Sequence, residues 1–146
     1  MHDESYELDL IDEAGRVCSG VVEVDCQDRT ADDHRETEIR LTVRWPGGEV
    51  VGVDWNYFAA LCRARRLLTT YGLTPLCYGA CRNLVLSGMC LDMALGAKGY
   101  LVAIGRQART ADLVDIFDAG TAMDLATVEE QEAFKQEWLN SLGQGR

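Results

Sequence analysis

From Tyr6 to Leu10 apolar and acidic residues alternate, a period of two that predicts a strand with one dry and one wet face. Asp12-Glu13-Ala14-Gly15 then supplies turn residues before a second run from Arg16 to Asp25, so the opening of the chain predicts a hairpin. Val22 and Val24 keep the period, whereas Val21 beside Gly20 interrupts it and predicts a β-bulge. The clearest half-buried strand follows, with Ile39, Leu41, Val43 and Trp45 alternating with Arg40, Thr42 and Arg44. Pro46-Gly47-Gly48 breaks it and leads into Glu49 to Val53, a second hairpin. The polar segment Gln27 to His34 between the hairpins reads as an exposed loop.

The period then changes to that of a helix. Asp54 or Asn56 is placed to cap a helix running to about Thr70, with Tyr57, Leu61, Ala64 and Leu68 on one face and Phe58 at its edge. Arg63 and Arg66 point away from that face, while Arg65 falls on its flank, its head reaching solvent or a carboxylate. Gly72 ends the helix. Beyond it, Leu73 to Gly105 is rich in glycine and apolar residues; Ser87 caps a short helix carrying Met89 and Met93, Lys98 to Ile104 reads as a buried strand, and Asp112 to Phe117 as another. Thr127 with Glu130 forms a capping-box pattern ahead of a helix striped by Phe134, Trp138 and Leu142. The expected fold class is α+β: a single domain over 1–146, with a largely antiparallel sheet from two N-terminal hairpins packed with two main helices.

Composition supports an ordered core. Apolar residues make up 47% and charged residues 26% of the 146, close to the globular average. The segment Met1 to Tyr6 is polar and acidic, without the basic and apolar regions of a secretory signal, and no run of about 18 apolar residues occurs. A cytoplasmic protein with no membrane partner is expected. Cys18, Cys26, Cys62, Cys77, Cys81 and Cys90 then read as free buried thiols rather than a disulfide framework.

Charge is unevenly spread. Residues 1–54 carry 15 acids and 5 bases, residues 55–110 carry 1 acid and 7 bases, and residues 111–146 carry 8 acids and 2 bases. Such a distribution serves intramolecular complementarity and solubility, or presents an acidic face to a basic protein partner. With a net charge of −10, direct nucleic-acid binding is disfavoured, because phosphates repel this balance.

Catalytic chemistry finds little purchase. His2 and His34 are the only histidines, one at the terminus and one in a polar segment, so neither is placed as a rigid base for a nucleophile. Cys77 and Cys81 form a single close pair, short of the two pairs typical of structural zinc, and no metal or cofactor is expected. The glycines of Tyr78-Gly79-Ala80 and Gly96-Ala97-Lys98-Gly99 match no phosphate-binding loop. Asp112, Asp115 and Asp118 read as solvated or paired with Arg106 and Arg109. Trp45, Trp55 and Trp138 fall on amphipathic faces; one of them exposed beside acids would be a candidate interface anchor.

The run Leu73-Thr74-Pro75-Leu76-Cys77-Tyr78-Gly79-Ala80-Cys81-Arg82-Asn83, with Ser87-Gly88-Met89, Asp92-Met93, Gly96-Ala97-Lys98-Gly99-Tyr100 and Asp112-Leu113-Val114-Asp115-Ile116-Phe117, resembles small bacterial proteins encoded beside polymorphic toxins, including Rhs-type and type VI secretion effectors. The resemblance covers roughly the C-terminal half. It implies an immunity protein, active in bacterial competition, that neutralises a cognate cytoplasm-acting toxin by protein-protein interaction and is not an enzyme. The loop acids Asp28, Asp32, Asp33 and Glu36 are the candidate toxin-binding surface. The alternative is a small ligand-binding protein or cysteine-dependent enzyme centred on Cys77, Arg82 and Asp92, with Arg82 lowering the thiol pKa. A third reading is a structural or adaptor subunit whose partner is not a toxin.

Overall fold

The computed structural model describes residues 2–31 and 34–143, with side chains described over 4–28 and 37–143. Its strands β1 (His2–Asp12) and β2 (Val17–Ala31) pair antiparallel from His2 opposite Cys26 to Ile11 opposite Val17. The turn between them is built by Asp12, whose Oδ1 accepts from the N–H of Ala14 and of Arg16, both at 2.9 Å. Gly15 supplies the positive φ of 83° that brings its N–H back to the Asp12 carbonyl. The register runs unbroken past Gly20 and Val21, so the expected bulge is absent. Gly20 instead occupies a dry-face position opposite Leu8, where a Cβ would stand 2.7 Å from the Leu8 carbonyl oxygen, and Val21 turns to the other face. Glycine keeps the period of two without contributing a side chain to it.

Strands β3 (His34–Trp45) and β4 (Gly48–Asp54) form the second hairpin, closed by the Trp45–Gly48 pair across Pro46-Gly47. The expected loop from Gln27 to His34 is corrected: β2 and β3 pair out to Ala31 opposite His34, and His34 opens a strand. Antiparallel pairing satisfies backbone groups whatever the side chains, so polar residues extend the ladder once the apolar core has set its register. Along this arm the Thr37 hydroxyl donates to the Asp28 carboxylate at 2.9 Å.

The strand order is β4-β3-β2-β1-β5, all antiparallel, with the short β5 (Leu73–Pro75) against the end of β1. One face of this sheet carries Leu8, Leu10, Val22, Val24, Ile39, Leu41, Val43 and Val50, all buried, and α1 (Tyr57–Thr69) packs against it with Ala60, Leu61, Ala64 and Leu68. Asn56 caps α1, its Oδ1 accepting from Ala59 N–H at 2.8 Å. Arg63 and Arg66 are exposed as their helical positions predict, but Arg65 is only 3% exposed, with Nη1 3.9 Å from the Cys62 sulfur. Its place four residues after Leu61 and three before Leu68 brings it inside the buried sector, not onto a wet flank.

The chain divides into two compact units, Met1–Leu76 and Cys77–Arg146. The second contains a three-stranded antiparallel sheet in the order β6 (Leu84–Val85), β7 (Lys98–Leu101), β8 (Leu113–Asp115), together with α2 (Gly88–Ala94) and α3 (Val128–Gly143). The predicted Ser87 cap is present, its hydroxyl accepting from Cys90 N–H at 3.2 Å. So is the capping box: Glu130 N–H donates to the Thr127 hydroxyl at 3.1 Å and Thr127 N–H to the Glu130 carboxylate at 2.9 Å. Trp138 is buried with Val85 and Val102, flanked by Phe134 and Leu142 as the stripe predicts. Two strands are shorter than expected. β7 stops at Leu101 because β6 offers only two pairing residues, leaving Ile104 exposed; Asp112 belongs to a 3-10 turn, Thr110–Asp112, while Ile116 and Phe117 are buried beyond the end of β8. The fold class is α+β. No helix of the described residues is long and apolar enough to cross a membrane.

Candidate functional site

Because side chains alternate along strands, the sheet of the first unit has a second face, opposite the one packed by α1. On β1 it presents Ser5, Glu7, Asp9 and Ile11; on β2 Val17, Ser19, Val21, Glu23 and Asp25; on β3 Arg40, Thr42 and Arg44; on β4 Glu49, Val51 and Val53. Glu7, Asp9 and Ser19 are exposed, as are Val17 and Val21. Arg44 bridges Glu23 and Glu49, its Nε 2.9 Å from Glu49 Oε2, and these contacts raise its pKa, the Glu49 hydrogen bond most.

Ser5, Glu23, Asp25, Arg40 and Thr42 line a shallow pocket of about 410 Å³ on this face. Within it Asp25 Oδ1 is buried and has no hydrogen-bond partner among the described residues, while Oδ2 accepts from Gln27 Nε2 at 3.4 Å. A carboxylate oxygen removed from water without a donor is costly to the free protein and is relieved by a cation or N–H that enters the pocket.

Where β1 and β2 leave the core, Glu4 accepts hydrogen bonds from the hydroxyls of Tyr6 and Tyr57, the latter at 3.3 Å. Burial, and then the Glu4 charge, push the Tyr57 hydroxyl far above the ordinary tyrosine range. Burial likewise raises the Cys26 thiol, assisted by Asp28 and Glu4. Both groups therefore stay protonated at neutral pH, and neither is primed as a nucleophile.

Among the sequence-predicted acids, Asp28 is exposed on the β2–β3 arm. Asp32 and Asp33 lie outside the described residues, and the backbone of Glu36 pairs with that of Arg29 while its side chain lies outside the described set. Glu7 and Asp9 were not singled out by sequence reasoning, although the apolar-acidic alternation from Tyr6 to Leu10 already placed them on a wet face. Trp55 meets the criterion of an exposed tryptophan beside an acid: it is 54% exposed, and its backbone N–H donates to Asp54 Oδ1 at 2.7 Å. Burial opposes ionisation of Asp54, but the Arg63 guanidinium at 2.7 Å and this N–H outweigh it and hold the carboxyl below its ordinary value. Trp45 packs edge-to-face on Tyr71, and Trp138 donates from Nε1 to the Arg106 carbonyl at 2.7 Å.

The residues of the alternative site are placed differently from one another. Cys77 is fully buried, Arg82 is ion-paired with Asp124 at 3.1 Å and Glu130 at 3.3 Å, and Asp92 is exposed on α2. With its charge spent on those carboxylates, Arg82 is not directed at Asp92. Cys62, Cys81 and Cys90 are also buried, whereas Cys18 and Cys26 are half-buried, and all six cysteines are free. Asp112 accepts the Arg109 N–H at 3.1 Å and lies 3.7 Å from its guanidinium. No group of three or more His, Cys, Asp or Glu among the described residues is arranged to hold a metal ion. No family model matches the chain, and no curated protein matches it either.

Proposed function

We propose that the chain is an immunity protein: a cytoplasmic, non-enzymatic inhibitor that binds a cognate bacterial toxin and blocks its active surface by protein-protein contact. The observation that carries this reading is the second face of the N-terminal sheet, where Glu7 and Asp9 are exposed beside Glu23, which shares Arg44 with Glu49, and where Asp25 Oδ1 has no hydrogen-bond partner among the described residues. Paired strands fix the backbone that carries these acids, so little backbone order is lost when a basic surface docks, and the complementary charge accelerates encounter. A toxin that acts on nucleic acid or nucleotides carries such a basic groove. The same acids repel a phosphate backbone, which favours a protein over a nucleic acid as partner.

Co-expression with the product of the adjacent toxin gene tests the reading. Growth is restored by the wild-type chain, and the double reversal Glu7→Arg, Asp9→Arg weakens protection and complex formation while leaving the circular dichroism spectrum unchanged. Failure of the wild-type protein to bind or neutralise that product overturns it.

A further inference from the structure

Two groups of opposite charge face each other across β2 and β3 without using each other. Asp25 stands directly opposite Arg40 in the ladder, yet Asp25 Oδ1 has no partner and exposed Arg40 makes no hydrogen bond or ion pair among the described residues. The next arginine along β3, Arg44, is already committed to Glu23 and Glu49. One row along, Ser5, Glu23 and Thr42 align across β1, β2 and β3, and the hydroxyls of Ser5 and Thr42 are likewise unpaired among the described residues. All five residues line the same pocket of about 410 Å³. Side chains directly opposite in an antiparallel pair have Cβ atoms about 4.5–5.5 Å apart, so the unspent carboxylate and the unspent guanidinium are set at the spacing of one small molecule.

We propose that this pocket binds a free α-amino acid, its carboxylate on the Arg40 guanidinium and its ammonium on Asp25. The guanidinium offers paired N–H donors that match a carboxylate, and the ammonium supplies the donor that Asp25 Oδ1 lacks. Oδ1 is shielded in the free protein, but among the described residues the carboxylate is held by the 3.4 Å contact of Oδ2 with Gln27, so rotation about its Cβ–Cγ bond turns Oδ1 to the entering ammonium. A ligand with a cation alone meets Arg40 as a like charge, and one with an anion alone meets Asp25 and Glu23; a zwitterion satisfies both sides. On β4, half-buried Val53 lies opposite Arg40 and half-buried Val51 opposite Thr42, which favours a small apolar ligand side chain over a charged one. The inference concerns the purified chain alone and stands apart from the toxin reading.

Titration of the isotope-labelled full chain with L-valine and with L-alanine, followed through its backbone amide resonances, is the test. Saturable shifts at Asp25, Arg40 and Thr42 are expected in the millimolar range. Valinamide, which lacks the carboxylate, and N-acetylvaline, which lacks the ammonium, are each expected to bind about tenfold or more weakly, the loss of one charged hydrogen-bonded contact. These derivatives probe the wild-type chain itself, so the outcome does not hinge on a variant folding. Asp25→Asn and Arg40→Gln are expected to weaken binding to the same extent with an unchanged circular dichroism spectrum, while Glu7→Gln, on the same face but outside the pocket, retains it. The absence of saturable shifts with either amino acid up to about 10 mM overturns the proposal. So does equal binding of the derivatives, or binding by the Asp25 and Arg40 variants that matches the wild type.

Discussion

Gly52 lies directly beneath Ala60: a Cβ at residue 52 would collide with the Ala60 carbonyl oxygen and stand 2.8 Å from the backbone nitrogen of Ala64. Helix α1 thus rests on the backbone of β4, and the obstructing atoms belong to a helix, not to a flexible side chain. Gly52→Ala is expected to cost about 1–3 kcal/mol, the range for overpacking a filled core, through displacement of α1. Urea unfolding reads this as a lower midpoint with an unchanged slope.

Gln131 is 4% exposed, and its Nε2 donates to the carbonyls of Gly79 at 3.0 Å and Cys81 at 2.7 Å. This amide ties α3 to the 3-10 turn Tyr78–Ala80 within the second unit. Gln131→Leu keeps much of the bulk but strips both acceptors of this donor, and a loss of about 1–3 kcal/mol is expected. Chemical denaturation followed by Trp138 fluorescence measures it.

The Thr127 hydroxyl at the start of α3 is expected to contribute about 0.5–2 kcal/mol, removed in Thr127→Ala. Glu130 answers it. The Thr127 N–H, then the Thr127 hydroxyl and Arg82, hold the Glu130 carboxyl below its ordinary range, and Asp12 is lowered chiefly by the Arg16 N–H. A lowered pKa means that the folded state binds fewer protons than the unfolded state in this window. Stability is therefore complete above the ordinary carboxylate range and declines as pH falls through the lowered values. Glu130→Gln flattens that acid limb in thermal melts recorded from neutral to acidic pH; an unchanged limb would contradict the capping role.

At the other end of the scale, Tyr57 and Cys26 have raised pKa values, so the folded state holds their protons where the unfolded state has released them. Stability from these groups is present below the unfolded thiol and tyrosine ranges and falls as pH rises through them. Spectrophotometric titration is expected to show one tyrosine ionising only with unfolding, and Tyr57→Phe abolishes that late step. Cys26 is expected to react with thiol reagents more slowly than an unhindered cysteine at the same pH.

Much of the fold was legible along the chain. Alternation from Tyr6 to Leu10 and from Ile39 to Trp45 marked the dry face, the caps at Asn56, Ser87 and Thr127 marked helix starts, and the Phe134, Trp138 and Leu142 stripe marked the face of α3. These signals are local, set by side-chain direction and by unpaired helix amides within a few residues. The polar arm from Gln27 was misread as loop because pairing of polar strands depends on a partner strand, which leaves no hydrophobic trace. Gly20 was misread for the same reason, its close approach to the Leu8 and Arg44 carbonyls being a property of the assembled sheet.

The candidate surface divides the same way. Sequence determined that acids dominate the N-terminal third. Tertiary structure alone decided which acids share a face, which of them an arginine already neutralises, that Trp55 is the exposed tryptophan, and that β4 is left at an edge, because each depends on strand order and register, and these are fixed by long-range packing of the whole sheet rather than by any stretch of the chain.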